Sequence, residues 1–200
     1  MSYYDIDAIL TDAEKVPCTF ELDVPDLGHL ESTHAQHGLK SGARLSLPLW
    51  LAEMLAIANV SGASASASAD DSRSFVTLGL PPALAADVVN ALKADPRAVP
   101  LRDQSPHFYT LATRLLDLFE DRELAAVLRR TFAARAAEVA LHARKAGGGG
   151  GGDDNASNLG VGGAGEDFLR GLDETERALF RRAHDGVKAG REWMERVKKH

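Results

Sequence analysis

Cys18, His29, His34 and His37 are the first residues in this chain whose types could hold a metal, because thiolate and imidazole are the ligands zinc prefers. Their spacing matches no zinc pattern. Cys18 also falls on the apolar side of an alternating run, where a free cysteine behaves as a small buried hydrophobe. Gly160-Val161-Gly162-Gly163-Ala164-Gly165 fits G-x-G-x-x-G by letters. A dinucleotide fingerprint must follow a strand and open a helix so that backbone amides meet the pyrophosphate, and this run follows a glycine tract instead. Asp153-Asp154 sits in the same tract, which fixes no carboxylate geometry for acid/base work. Ser46 and Ser105 lie in no nucleophile elbow. With no ordered set of nucleophile, base or ligand, we expect no catalytic residue, no metal, no cofactor and no small-molecule substrate: the chain is not read as an enzyme.

The basic end offers different chemistry. Lys188, Arg191, Arg196, Lys198 and Lys199 outnumber Glu192 and Glu195 there, and cations on one helix can neutralise phosphates. A stand-alone nucleic-acid-binding helical module using this basic C-terminal helix is therefore the alternative reading. A solvated face whose cations suit the negative end of the helix dipole explains the same residues. The opposite end of the chain also argues against it. Of a formal net charge of −6, residues 1 to 31 carry −7, from eight acids against Lys15 alone, and the rest sums to +1. Such a front end repels nucleic acid and favours a basic protein partner or plain solvation.

These residues need elements to position them. With 44% hydrophobic content, 200 residues suffice for one ordinary domain or two small ones. A single cysteine excludes an internal disulfide framework and suits a reducing compartment. No apolar run approaches the roughly 20 residues of a membrane span. No signal peptide is read at the N-terminus, so the sequons at Asn59 and Asn155 are not expected to be glycosylated.

Tyr3 to Ala13 places Ile6, Ile9 and Leu10 at helical spacing behind Asp5, a candidate N-cap, and predicts a short acidic amphipathic helix. Val16 to Val24 alternates, with Val16, Cys18, Phe20, Leu22 and Val24 on one side, and predicts a half-buried strand. Pro17 places it at an edge or a strand start. Arg44 to Leu47 supplies a second strand. At Pro48 the period changes to that of an almost wholly apolar helix, with Trp50, Met54 and Ile57 on one face and Leu51, Leu55 and Ala58 on the next.

Further on, Ser61 to Ser72 and the glycine-rich Gly147 to Gly165 predict disordered loops, near 61–73 and 147–165. Phe75 to Leu80 predicts a short extended run, and Pro81-Pro82 opens a helix carrying Leu84, Val88 and Leu92. Ser105-Pro106 looks like a cap and first turn for a helix bearing Phe108, Leu111, Leu115 and Leu118. The pattern resumes at Leu124, Leu128 and Phe132 and continues to about Lys145. The last helix is announced by Asp173-Glu174-Thr175-Glu176, in which Asp173 can accept from the Glu176 amide. Phe180, Ala183, Val187, Gly190, Met194 and Val197 then form a seam of a helix packing along its whole length. About 37 Å of helix, at about 1.5 Å per residue, exceeds what a small domain needs and suggests a partner chain.

The expected fold is α+β, mainly α: a small β-rich module at 1–47 with a short N-terminal helix, then a helical-bundle domain at 48–200. Leu47, Trp50, Met54, Ile57, Phe180, Val187, Met194 and Val197 are the residues expected at the domain junction or at a subunit interface.

Several blocks, in order, carry a resemblance. Tyr3-Tyr4-Asp5-Ile6-Asp7 leading to Val16-Pro17, then Ser41-Gly42-Ala43-Arg44-Leu45-Ser46-Leu47-Pro48-Leu49-Trp50-Leu51-Ala52, Ala94-Asp95-Pro96, Pro106-His107-Phe108-Tyr109 and Leu172 to Phe180 together resemble the GINS subunits of the third Psf type, over nearly the whole chain. The resemblance implies a eukaryotic, fungal protein of the nucleus, with a small β-rich B domain ahead of a helical A domain. It implies a non-catalytic structural subunit of a heterotetramer, with the other three GINS subunits, the MCM helicase motor and the CMG accessory factor as partners. It implies work in the initiation and elongation of DNA replication within the CMG helicase, with DNA met only indirectly and no membrane. The Ser/Ala tract and the glycine-rich insertion depart from the family pattern, and both fall in loops.

Overall fold

A computed structural model describes residues 4–25, 30, 38–60, 73–146 and 168–198. The chain divides into two compact units, Met1–Ala85 and Ala86–His200. His29, His34, His37, Asp153-Asp154, the G-x-G-x-x-G run and nearly all of both expected loops lie outside the described residues.

In chain order the first unit contains α1 (Ile6–Asp12), β1 (Lys15–Phe20), β2 (Arg44–Pro48), α2 (Leu49–Ile57), the two-residue strands β3 (Asn59–Val60) and β4 (Arg73–Ser74), β5 (Val76–Leu78) and a 3-10 turn over Pro82–Leu84. Asp5 caps α1 by accepting from the Asp7 amide at 3.2 Å. The strand expected from Val16 to Val24 is found only as far as Phe20, where β1 ends; within it the alternation holds, with Val16, Cys18 and Phe20 buried, Lys15 exposed and Pro17 and Thr19 half-buried. Of the two places expected for Pro17, an edge or a strand start, the edge is corrected. β1 is the middle strand of an antiparallel sheet ordered β2-β1-β5. The β5 register begins only at Cys18, opposite Leu78, so the proline stands just before that pairing starts.

The sheet buries Cys18, Phe20, Leu47 and Val76 with Leu39, and Ala52 of α2 completes this core. Leu51 and Leu55 pack on it from the half-buried side of the same helix. A three-stranded sheet cannot hide an apolar face unaided, and α2 lies against β1, β2 and β5 to cover it. The change of period at Pro48 thus falls inside the first compact unit, whose limit is Ala85 rather than residue 47.

Two glycines serve the hairpin side of this unit. Gly42 has φ +87° in the turn before β2. Gly38 adjoins the bridge in which Val24 and Leu39 exchange hydrogen bonds of 2.8 Å. A Cβ there would lie 2.7 Å from the Val24 oxygen and 2.9 Å from the Pro25 Cα.

The second unit contains α3 (Ala86–Ala94), α4 (Leu101–Gln104), α5 (Phe108–Leu118), α6 (Arg122–Ala146) and α7 (Glu174–Lys198). The helix expected to open at Pro81-Pro82 is parted, because Ala85 is extended between the 3-10 turn and α3, with ψ 156°. α5 buries Phe108, Leu111, Ala112 and Leu115. α6 buries Leu124, Leu128, Thr131, Arg135, Val139 and Ala143, at helical spacing. Phe132, expected on that stripe, is 38% exposed, and Thr131 and Arg135 take the inner face instead.

Gly38→Ala is expected to lower the stability of the first unit by about 1–3 kcal/mol through overpacking against fixed backbone. Urea unfolding would measure it, and an unchanged midpoint would show that the Val24–Leu39 bridge yields.

Candidate functional site

The strongest polar cluster among the described residues is built around Arg135, in the middle of α6. Its Nε donates to Glu176 Oε1 at 2.7 Å and its Nη2 to Glu176 Oε2 at 2.9 Å. Nη1 donates to the carbonyls of Pro96 (3.1 Å) and Val99 (2.8 Å), and Nη2 also to that of Gly171 (3.2 Å). These bonds occupy the five N–H donors of a guanidinium. Glu176 is wholly buried and also accepts from the Tyr109 hydroxyl at 3.3 Å.

Asp173 joins the cluster as a double cap. Its Oδ1 accepts from the Glu176 amide at 2.8 Å, as its place before α7 predicts. Its Oδ2 accepts from the Tyr109 amide at 3.2 Å, in the first turn of α5. Ser105 does not cap α5; its Oγ accepts from the His107 amide, ahead of the helix. One carboxylate therefore satisfies amides at the starts of two helices that are far apart in sequence. The Pro106 carbonyl accepts from the Glu174 amide at 2.9 Å and closes the same junction.

The electrostatics follow from burial. Asp173 is pushed up to about 6, chiefly by desolvation, against the lowering effect of its two amide donors. Burial also raises the Tyr109 hydroxyl, and the negative charge of Glu176 raises it further. Arg135 would be lowered by burial, but the bonds and charge of Glu176 outweigh this and hold it above its ordinary value. Glu174 is lowered by its hydrogen bond from Arg102, at 2.9 Å, with Arg177 nearby. In the first unit, burial raises the Cys18 thiol, which donates to the Val16 carbonyl at 3.3 Å. The Arg135 cluster has every donor engaged inward, so its chemistry is that of a fastening.

Surfaces tell more about function. Of the residues expected at a junction or interface, Leu47 is part of the first unit's core. Trp50, Met54 and Ile57 of α2 are 49%, 62% and 65% exposed. Trp50 thus leaves no sealed cavity when truncated in the chain alone. Phe180 and Val187 are half-buried, whereas Met194 and Val197 are 51% and 54% exposed. The seam of α7 therefore does not pack along its whole length within this chain: Glu176 is the helix's one buried residue among those described. Two sets of exposed apolar residues escaped the sequence reading. Trp193 neighbours Met194 and is 61% exposed. Tyr4, Ile6, Ile9 and Leu10 are also exposed, and here the spacing was legible but not the direction in which the apolar side faces. No group of three or more His, Cys, Asp or Glu residues is placed to hold a metal among the described residues. None of the described helices is long and apolar enough to cross a membrane.

Comparison with known proteins bears on these surfaces. Residues 4–57 match the family described as PSF3 N-terminal domain, and residues 83–195 match that described as GINS complex protein helical bundle domain. A Neurospora crassa protein named DNA replication complex GINS protein psf3 is 65% identical, with all of each chain covered. The protein of that name from Gibberella zeae is 58% identical over 100% of this chain and 99% of its own. The one from Saccharomyces cerevisiae is 36% identical over 97% and 98%.

Two outcomes are expected from the buried cluster. Glu176→Gln takes away the carboxylate that pairs directly with the buried guanidinium and should cost about 3–5 kcal/mol, while replacing both partners, Arg135→Met with Glu176→Leu, should cost much less; denaturant unfolding of the two variants beside the unaltered chain decides this. Asp173 binds its proton more tightly in the folded than in the unfolded chain, where 3.8 applies. Its effect on stability is therefore most favourable below pH 3.8 and declines as pH rises to about 6. A carboxyl-carbon NMR titration should place its midpoint near 6, and Asp173→Asn should abolish that part of the pH dependence.

Proposed function

We propose that this chain, which belongs to the Psf3 family of DNA replication complex GINS proteins, is a non-catalytic structural subunit of the heterotetrameric GINS complex. In this reading it acts in the nucleus, in the initiation and elongation of DNA replication, as part of the CMG helicase. Its direct partners are the other three GINS subunits; the MCM motor and the CMG accessory factor join the same assembly, and DNA is reached only indirectly.

The observation that carries the proposal is the second half of α7. Trp193, Met194 and Val197 stand more than half exposed on a regular helix whose buried anchor, Glu176, lies in its first turn. Large apolar side chains grouped on a well-formed surface mark a place where another protein sits. The spacing of Val187, Gly190, Met194 and Val197, three and four residues apart, suits a helix lying alongside. Phe180 and Val187 lead from the unit's own packing into that face.

Co-expression of the full chain with the other three GINS subunits should give one stoichiometric particle. Met194→Glu with Val197→Glu should lower its yield at least tenfold while leaving the thermal midpoint of the chain alone unchanged, since neither side chain is buried there. A monodisperse chain with no affinity for the other three subunits would overturn the proposal.

A further inference from the structure

α1 turns its apolar side outward. At 100° per residue, Ile6, Ile9 and Leu10 lie within an arc of about 100°, flanked by Asp7 on one side and Asp5 and Asp12 on the other. They are 70%, 54% and 49% exposed, Tyr4 just ahead of the helix is 81% exposed, and the residue α1 buries is Thr11. A helix formed only to serve its own domain shows the opposite arrangement. α2 packs against α1, and the Leu49 amide at its start donates to the Glu14 carbonyl at 2.8 Å. Trp50, Met54 and Ile57 fall within about 60° of one another on the solvent side of α2, whose only charged residue is Glu53.

Two touching helices thus present Tyr4, Ile6, Ile9, Leu10, Trp50, Met54 and Ile57 to solvent within one unit. Every charged residue from Asp5 to Glu14 is an acid, as is the one on α2; the bases nearest in sequence, Lys15 and Arg44, belong to the strands. We infer that α1 and α2 together form a docking surface for one amphipathic helix of another GINS subunit, with lysine or arginine flanking its apolar stripe. This rests on the assembly reading above and adds to it a second surface, in the other compact unit, with a partner of defined chemistry. A helix fits because side chains three and four residues apart can enter the furrow between two packed helices. Basic flanks fit because carboxylates beside an apolar stripe steer and orient opposite charge, while the aromatic and Met side chains supply desolvated contact.

The test uses the full chain co-expressed with the other three subunits. A photoreactive benzoylphenylalanine placed at residue 9, and separately at residue 54, should cross-link to the same partner helix, one flanked by lysine or arginine. Ile6→Ser with Ile9→Ser, and Met54→Ser with Ile57→Ser, should each lower the yield of assembled complex at least tenfold with at most a small shift in the thermal midpoint of the chain alone. Assembly at the native level by both variants overturns the inference and leaves the assembly reading standing. Cross-links to two unrelated segments overturn the single occupant, and capture of an acid-flanked helix overturns the charge argument. If the unaltered chain fails to assemble, the assembly reading falls and this inference with it.

Discussion

A guanidinium taken out of water must find both a counter-charge and acceptors for all its donors, and the second unit is arranged to meet that demand at Arg135. Glu176 supplies the charge, and the carbonyls of Pro96, Val99 and Gly171 supply the remaining acceptors. Because the fork is planar and its bonds directional, it fixes more than proximity. It sets the rotation of α6, the position of the segment between α3 and α4, and the place where α7 begins. An apolar residue at 135 would pack on the same face but would leave those three segments free to slide.

Asp173 extends the constraint by one residue. By accepting from amides in the first turns of α5 and α7, it ties their starts to each other. The beginning of α7 is thereby among the most heavily bonded places in the unit, while no residue of its far half is fully buried and Trp193, Met194 and Val197 stand exposed. Such a gradient, fixed at one end and bare at the other, suits a helix aimed at something outside. The first unit works differently: its sheet and α2 close a core of their own, and apolar side chains left over on α1 and α2 face away from it.

Local signals in the sequence were sound guides. The alternation of Val16, Cys18 and Phe20, the cap at Asp5 and the cap at Asp173 each depend on residues only a few positions apart, and each is found as expected. The order α+β with a small sheet first was legible from the change of period and from the blocks that resemble GINS subunits. What was hidden depends on distant partners. Arg135 sits in an alanine-rich helix like many a surface arginine, and its ion pair spans 41 residues. The second bond of Asp173 spans 64. Pro17 was read by a rule about ladders, without knowledge that β5 would join only after it. For α1, periodicity reports that two faces exist but not which one the fold will cover. A change from strand to helix need not be a change of compact unit either, and the first unit runs on past residue 47 to Ala85.

The long reach of the Arg135 cluster also sets a timetable for synthesis. A chain leaving the ribosome from its N-terminus releases every strand of the first unit, through β5, well before Glu176 emerges. The first unit can therefore close while translation continues. α6 meanwhile waits with a charged side chain on its inner face and no acid to receive it, and the first turn of α5 waits for the carboxylate that caps it. The helical unit is thus obliged to lock late, once residues 171 to 176 are available, because non-local contacts cannot form before both sides exist.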